Sequence, residues 1–224
     1  TKRLATTAIG ATVFGDFIVA GVTTAEALNV TGVSTFNGLV SIGDSINHIG
    51  DTDTAIRFGT DIFSVETAGT EALRVDSGQR ILKGLTTARG NFANNTSGVE
   101  YAVQIEGTSA ITAGLSIVRN SNDIADGGIV LAKTRATSTG GNTVVQAGDD
   151  LGNITFAGSD GTTLQFGAEI FAEVQSGVGN DDLPTDLIFK TNGGSTSTTE
   201  RLRIHADGEV ECKGGAAGQN ALLV

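Results

Sequence analysis

Residues 61–84 read Asp61-Ile-Phe-Ser-Val-Glu-Thr-Ala-Gly-Thr-Glu-Ala-Leu-Arg-Val-Asp-Ser-Gly-Gln-Arg-Ile-Leu-Lys-Gly84, and a second version of this stretch lies near the end of the chain. The second version runs from Asp186-Leu-Ile-Phe through Thr199-Glu-Arg-Leu-Arg-Ile to Lys213-Gly214. The two stretches share an Asp-led strand with a Phe, a polar loop, Thr-Glu-x-Leu-Arg, a Gly turn and a closing Lys-Gly. The repetition predicts a chain assembled from related β units.

Each repeat has the two-residue alternation of a β-strand. Leu73 and Val75 are expected on one face, and Arg74 between them on the other. The turn that follows is predicted at Ser77-Gly78, where Gly tolerates the positive φ of a tight turn. In the second repeat Leu202 and Ile204 repeat the apolar face, Arg203 takes the place of Arg74, and Asp207-Gly208 is the hairpin signal.

The composition favours strands and tight turns over helices. The chain of 224 residues has 32 Gly, 10 Phe, one Tyr, one Pro and no Trp. Gly and β-branched residues are typical of short strands joined by turns. Because few large side chains are available, the core of one chain is expected to be thin. We therefore expect copies of the chain to complete one another's core.

The charge argues against two classes of partner. The formal net charge is −11, and the 14 basic residues form no cluster. Nucleic acids and anionic bilayers are bound by clustered Lys and Arg, so we expect neither a nucleic-acid partner nor membrane insertion. The most apolar window, residues 8–22, is interrupted by Asp16 and is shorter than the roughly 20 apolar residues of a membrane span.

The segments outside the repeats also have strand patterns. Two near copies, Val19-Ala-Gly-Val-Thr-Thr and Val30-Thr-Gly-Val-Ser-Thr, lie 11 residues apart and favour a repetitive shaft over an ordinary sandwich. We therefore divide the chain as follows: residues 1–60, a repetitive β shaft; 61–84, the first repeat; 85–185, an all-β insert resembling a β-sandwich; 186–214, the second repeat; and 215–224, a tail. Strands are predicted at 17–20, 28–30, 36–42, 56–58, 99–106, 115–118, 129–132, 144–145, 154–156 and 164–174.

No catalytic signature stands out. Glu169 and Glu173 lie on one strand face about 13 Å apart, beyond the about 5–9.5 Å used by glycosidase carboxylates. His48 with Asp51 and Asp53 lacks the spacing of a calcium loop and is expected to be an ordinary turn. The single cysteine, Cys212, has no partner within the chain and is expected to be a small, partly buried strand residue. We predict no catalytic residue, no metal site and no cofactor.

Several phrases together resemble the modular tail-fibre and related virion structural proteins of tailed bacteriophages, especially those of marine bacteria. These phrases are Asn47-His-Ile-Gly-Asp-Thr-Asp-Thr-Ala-Ile-Arg-Phe, Phe63-Ser-Val-Glu-Thr-Ala-Gly, Leu115-Ser-Ile-Val-Arg-Asn-Ser, Gly140-Gly-Asn-Thr-Val-Val-Gln-Ala-Gly-Asp and Glu200-Arg-Leu-Arg-Ile. The likeness covers about residues 28–214. Ala206-Asp207-Gly208 matches the family's turn between repeats, and Ser77-Gly78 is a residue shorter.

The resemblance implies an elongated, homotrimeric, all-β fibre segment on the outside of the virion. Its implied partners are copies of itself, other tail or baseplate proteins, and a glycan or outer-membrane protein of the host surface. In a trimer, Arg203 or His205 could form a ring around the axis. Polar loops of the insert are the candidate receptor-facing positions: Asn120, Asn122, Asp123, Asn142, Asp181 and Asp182.

Two other functions stay open at this point. A polysaccharide-cleaving tailspike would need carboxylates that converge between chains. A bacterial surface adhesin could have a similar β-rich construction. New reducing ends released from host polysaccharide would identify the enzyme, and a signal peptide or membrane anchor in the full gene would favour the adhesin.

Overall fold

The computed structural model describes residues 4–7, 10–13, 29–92 and 100–214. The strands of this part of the chain form three antiparallel or mixed sheets, and no helix occurs in it. The all-β class is therefore confirmed. The chain divides into a unit of Thr1–Ser41 and a unit of Ile42–Val224. The predicted strand at 17–20 and the copy that begins at Val19 lie outside the described residues.

The first unit contains a two-stranded antiparallel sheet of β1 (Leu4–Thr7) and β2 (Gly10–Val13). The strand predicted at 36–42 does not form, and the described copy that begins at Val30 is not a strand either. Phe36 and Leu39 are 68% and 104% exposed. Without a neighbouring strand to pair with, residues of high strand propensity have nothing that fixes them in a sheet.

A six-stranded sheet contains the first repeat. Its strands are β3 (Ser45–His48), β4 (Asp51–Gly59), β5 (Ile62–Thr67), β6 (Thr70–Val75), β7 (Ile81–Lys83) and β8 (Val103–Ile105), and they neighbour one another in that order. All pairs are antiparallel except β7 with β8, which is parallel. The hairpin between β5 and β6 turns at Ala68 and Gly69, which have φ values of 49° and 68°. Two positive φ values in succession match the twist of the flanking strands.

A five-stranded sheet contains the second repeat. Its strands are β9 (Asp150–Ser159), β10 (Leu164–Val174), β11 (Thr185–Thr191), β12 (Thr199–Ile204) and β13 (Val210–Cys212), in the spatial order β13-β12-β11-β10-β9. A tight turn at Ser159-Asp-Gly-Thr joins β9 to β10, and Gly161 in it has a φ of 96°. The sheet is an antiparallel meander, so each strand pairs with its neighbour in sequence.

The two repeats have the same local structure, as the sequence predicts. Strands β5, β6 and β7 form a meander, and β11, β12 and β13 form the equivalent one. In the first repeat Phe63 faces Val75, and in the second Leu187 faces Ile204. This register changes how the starts of the two repeats are aligned. Asp61 lies in the turn before β5, whereas Asp186 lies within β11, so the two Asp residues are not equivalent.

The turn predicted at Ser77-Gly78 is also corrected. Both turns have three residues, because Asp76 pairs with Arg80 through backbone hydrogen bonds as His205 pairs with Glu209. The residue with positive φ in the first turn is Gln79, at 62°, and not Gly78. A Cβ at Gly78 would lie 2.6 Å from the Arg80 guanidinium, so a larger residue there would displace the end of that side chain.

The segment 85–185 does not have a sheet of its own among the described residues. Its strand β8 joins the six-stranded sheet, and β9 and β10 join the five-stranded sheet. The strands predicted at 115–118, 129–132 and 144–145 are not formed. The predicted strand at 99–106 is reduced to Val103–Ile105. Sheet membership thus does not follow the boundaries at 84 and 185, and the proposed division into domains stays a prediction.

The core is thin, as the composition predicts. The buried apolar residues of the described chain are Ala55, Leu82, Ala88, Val145, Phe171, Val174 and Ile188. Far more large apolar side chains remain exposed than are buried. Unless a partner covers them, these residues leave much of the favourable transfer free energy of the sequence unused.

Candidate assembly interface

One face of the six-stranded sheet is apolar across its full width. Residues paired directly across neighbouring strands lie on the same face. The pairing registers therefore align two rows of apolar side chains on that face. The first row is Ile46, Ile56, Val65 and Leu73, and the second is Phe58, Phe63, Val75, Ile81 and Val103.

This apolar face is uncovered in the single chain. Seven of these nine side chains are exposed, by fractions that run from 36% at Ile56 to 58% at Val103, and Val65 and Val75 are half-buried. Phe58 and Phe63 contact each other with ring centroids 6.1 Å apart. A contiguous apolar face of this kind marks an interaction surface rather than ordinary scattered exposure.

The five-stranded sheet has an equivalent face. One row contains Val210, Ile204, Leu187 and Ala172, and the next contains Cys212, Leu202, Phe189, Ile170 and Ile154. Val210, Leu187 and Ile154 remain exposed. Cys212 is half-buried in β13, so the prediction of a small, partly buried strand residue is confirmed.

The opposite face of the six-stranded sheet is held by its own chain. Leu82 is fully buried there, and its neighbour Gln104 is 6% exposed. The Arg89 amide donates to Gln104 Oε1 at 2.9 Å, and Gln104 Nε2 donates to the Arg89 carbonyl at 3.1 Å. These two hydrogen bonds join Arg89, in the segment that connects β7 to β8, to Gln104 of β8. The two faces of the sheet therefore differ: this one is covered by the chain itself at β7 and β8, and the other is open.

The opposite face of the five-stranded sheet carries a network of charges around Arg203. The guanidinium donates to Glu200 at 3.0 and 2.9 Å, to Asp186 at 2.7 Å and to Glu173 at 3.1 Å. Asp186 is only 2% exposed. Burial raises the pKa of Asp186, but Arg203 and the Ala206 amide outweigh it, so this pKa lies below its ordinary value.

The other members of the network follow from the same contacts. The hydrogen bond from Arg203 lowers the pKa of Glu200 to about 2, and Lys213 contributes through Nζ at 2.7 Å. The hydrogen bonds to these carboxylates raise the pKa of Arg203. The charge of Arg203 is neutralised within one chain, so it needs no ring of symmetry-related copies.

A β-bulge places each Glu beside its Arg. Residues three apart in a regular strand point to opposite faces. In β6 the register shifts so that Ala72 is extra, and in β12 it shifts so that Arg201 is extra. The bulge brings Glu71 and Arg74 to one face, where the guanidinium donates at 2.7 and 2.6 Å. In both repeats, the Thr-Glu-x-Leu-Arg sequence therefore forms a β-bulge in which the Glu and the Arg make an ion pair.

The predicted receptor-facing residues lie in three separate loops and are exposed. Asp123 accepts two hydrogen bonds from Arg119 at 2.6 and 2.7 Å, and these lower its pKa. Asp181 has a φ of 56° and accepts from Asn180 at 3.0 Å. Within the described part of the chain, no hydrogen bond or ion pair joins one of these loops to another. Their role as receptor-facing positions, which also includes Asn120, Asn122, Asn142 and Asp182, stays a prediction.

The other candidates have structural partners. Glu169 accepts from Thr198, and Glu173 accepts from Arg203 at 3.1 Å. Asp51 accepts from Thr54 at 2.9 Å beside the turn that follows His48. In the described residues no three His, Cys, Asp or Glu side chains are grouped to hold a metal. The same residues include no helix with the length and apolarity of a membrane span.

The sequence pattern did not reveal the network around Asp149. Its carboxylate is 5% exposed and accepts from Lys133 at 2.6 Å and from Arg135 at 2.7 and 2.9 Å. The Arg135 hydrogen bond, followed by that of Lys133, lowers the pKa of Asp149. The spacing of Lys133 and Arg135 is the sequence signal for this network. Residues two apart in an extended chain point to the same side, so both side chains can reach one carboxylate.

Comparison with solved structures identifies the fold. The carboxy-terminal domain of the bacteriophage T5 L-shaped tail fibre aligns with a TM-score of 0.56 at 14% identity, covering 94% of this chain and 93% of that one. This chain has the fold of a phage tail-fibre domain. A structure of the same domain with its intramolecular chaperone domain aligns with a TM-score of 0.57 at 14% identity. There the match covers 81% of this chain and 55% of the other.

The other comparisons give no match. No protein-family model matches the chain, and no curated protein sequence does. At 14% identity the two structures show the fold alone. They support the resemblance to tail fibres in general, and the marine type in particular stays a prediction.

Proposed function

We propose that this chain is a non-enzymatic structural segment of a bacteriophage tail fibre that assembles as a homotrimer. The observation that carries the proposal is the open apolar face of the six-stranded sheet. This face is continuous over six strands, whereas the opposite face is covered by the chain itself at β7 and β8. The tail-fibre fold supports the same role.

The energetics favour a permanent interface. Fully burying one Val, Leu, Ile or Phe side chain contributes roughly 1.5–3 kcal/mol. Phe58, Phe63 and Ile81 are each between 37% and 44% exposed, so each has a substantial part of this free energy left to gain. Copies of the chain are the natural occupant, because a rotationally symmetric assembly brings the same apolar face of every copy to one axis.

We also propose that the polar loops contact the surface of the host cell. A trimer that buries the sheet faces leaves the polar loops outside. Side chains such as Asn120, Asn142 and Asp182 then offer hydrogen-bond donors and acceptors to a host glycan or outer-membrane protein. Other tail or baseplate proteins are the proposed neighbours at the ends of the segment.

The apolar face is tested by a charge placed on it. We expect Phe58→Lys to reduce the solution mass from a trimer to one chain of 22.7 kDa, because three buried ammonium groups near one axis repel and are desolvated. Thr60→Lys adds the same charge in the exposed turn after β4 and is expected to remain trimeric. A trimer that survives Phe58→Lys would remove this face from the interface.

Attachment is tested separately with an array of bacterial surface glycans. The trimer is expected to bind through several weak sites at once, and the monomeric Phe58→Lys variant is expected to bind much less. Equal retention of both proteins would show that assembly does not contribute to attachment. Release of new reducing ends from any of these glycans would contradict the non-enzymatic role.

A further inference from the structure

Residues 114–132 form an extended arm with two limbs. The limbs run side by side, because the Cβ position of Gly127 lies 3.6 Å from Ile117 and 3.7 Å from Arg119. A groove of about 230 Å³ lies between them, lined by Leu115, Ile117, Gly127, Gly128 and Ile129. The arm thus resembles an open hairpin.

The tip of the arm is closed by its own side chains. Arg119 pairs with both carboxylate oxygens of Asp123 and also donates to the Ala125 carbonyl at 2.8 Å. Asp123 also accepts from Ser121 and from the Ala125 amide, at 2.6 and 2.9 Å. The charges of Arg119 and Asp123 are therefore neutralised locally.

The base of the arm is anchored to the five-stranded sheet. Leu131 lies directly over Gly152 of β9, where a Cβ would be only 2.5 Å from the Leu131 Cβ. Beyond it, Lys133 and Arg135 hold the buried carboxylate of Asp149. With both base and tip fixed, the limbs are preorganised for a partner.

The limbs themselves have strand sequences without strand partners. Leu115-Ser-Ile-Val and Ile129-Val-Leu-Ala are rich in β-branched residues. Yet no backbone hydrogen bond joins residues 115–118 or 129–132 to any other described residue. Val118 is 74% exposed and Val130 is 88% exposed. Burying these side chains would also require partners for the neighbouring backbone groups, and a β ladder supplies both.

We propose that the arm crosses to a second copy of this chain, where residues 115–118 and 129–132 become strands. The inference rests on the proposed trimer and extends it from packed faces to exchanged strands. Each copy offers an acceptor, because β9 is an unpaired edge of ten residues with Ile154 and Phe156 exposed. The uncharged, apolar limbs suit such an edge, and the exchange would cover edges that otherwise invite aggregation.

Amide hydrogen exchange on the trimeric fraction tests the arm. Amides of residues 115–118 and 129–132 are expected to exchange at least about 100-fold more slowly than those of 120–122, in the range of β5. In the monomeric Phe58→Lys protein the arm amides are expected to lose this protection while β5 keeps it. Fast exchange of the arm amides in a trimer would contradict the crossing of the arm to a second copy, but it would not contradict the proposed function. Equal protection in the monomer would contradict the crossing as well, because the limbs would then be bonded within one chain.

A matched pair of variants gives a second readout. Val130→Lys is expected to lower the trimeric fraction at least about tenfold, whereas Asn122→Lys at the exposed tip is expected to leave it unchanged. A trimer that tolerates Val130→Lys would contradict the crossing. A monomeric mass for the unmodified chain would contradict both the proposed trimer and the proposed crossing of the arm.

Discussion

The two repeats share a backbone but differ in what surrounds it. In both, a bulge joins a Glu to the Arg three residues later. Arg74 has one carboxylate, Glu71, whereas Arg203 has three. The difference arises on the neighbouring strands, because β10 and β11 supply Glu173 and Asp186 to the second repeat. The local motif thus sets the conformation, and the neighbouring strands decide how much each ion pair contributes.

The connections differ in the same way. The first repeat joins its first two strands by a two-residue turn at Ala68-Gly69, and the second uses the longer segment 192–198. Asn192 organises that segment by accepting from the amides of Gly194 and Ser195 at 2.8 and 3.0 Å. The repeat therefore tolerates a change of loop length without a change of strand register.

The largest expected difference is between the two arginines. Arg203→Met leaves the nearly buried Asp186 carboxylate without its arginine partner, so we expect a loss of about 3–5 kcal/mol in the free energy of unfolding. Arg74→Met leaves only the partly exposed Glu71 and is expected to lose about 1 kcal/mol. Urea denaturation at one protein concentration measures both.

A control separates the charge from the packing of the side chain. Adding Asp186→Asn to Arg203→Met is expected to recover part of the loss, because a buried negative charge without its arginine partner is then removed. Equal losses for the two arginine variants would show that the neighbouring strands add nothing.

Deleting Ala72 tests the bulge itself. Without the extra residue, Glu71 and Arg74 lie two apart in a regular strand and stay on one face, so we expect their hydrogen bonds to survive and the free energy of unfolding to change by less than about 1 kcal/mol. Ala72→Gly keeps the bulge and serves as the control. Unfolding midpoints of the two variants give the comparison, and a much lower midpoint for the deletion would show that the ion pair depends on the bulge.

Acid is expected to weaken the second repeat through Glu200. Its pKa is lowered to about 2 in the folded chain, so its stabilisation is present above the ordinary value of 4.5 and is lost as the pH falls towards 2. We expect Glu200→Gln to lose about 1–2 kcal/mol at neutral pH and to match the unmodified chain near pH 2. Urea denaturation at a series of pH values checks this, and a constant difference across the series would contradict it.

The smallest expected effects lie in the two three-residue turns. Gln79 and Gly208 occupy equivalent positions in the two turns, and both have a positive φ. Gln79→Gly is expected to stabilise the chain by about 0.5–1 kcal/mol, and Gly208→Ala to destabilise it by about 1 kcal/mol. Thermal unfolding of the pair provides the test. Changes of the same sign would contradict the equivalence of the two turns.

Local patterns predicted the repeat units well. The alternation around Leu73 and Leu202 gave the correct faces, since strand periodicity depends only on the backbone. The bulge was not predicted, although a Glu three residues before an Arg in a strand is its signal. The positive φ of Gln79 was missed because Gly78 looked like the residue needing conformational freedom, whereas Gly78 itself does not have a positive φ.

Strand partners outside the repeats could not be predicted. Residues 115–118 and 129–132 have strand sequences, but a strand forms only where a neighbour accepts its hydrogen bonds. The open sheet face was anticipated from the thin core, but its position depended on the registers of six strands. The ion pairs of Arg203 and Asp149 join residues far apart in sequence, which composition and spacing do not reveal.

The most direct test of the central claim is the solution mass of the unmodified chain, measured by light scattering across a range of concentrations. We expect a mass near three times 22.7 kDa that does not change on dilution. A mass of one chain at every concentration would contradict it, because the apolar face of the six-stranded sheet would then remain open to water.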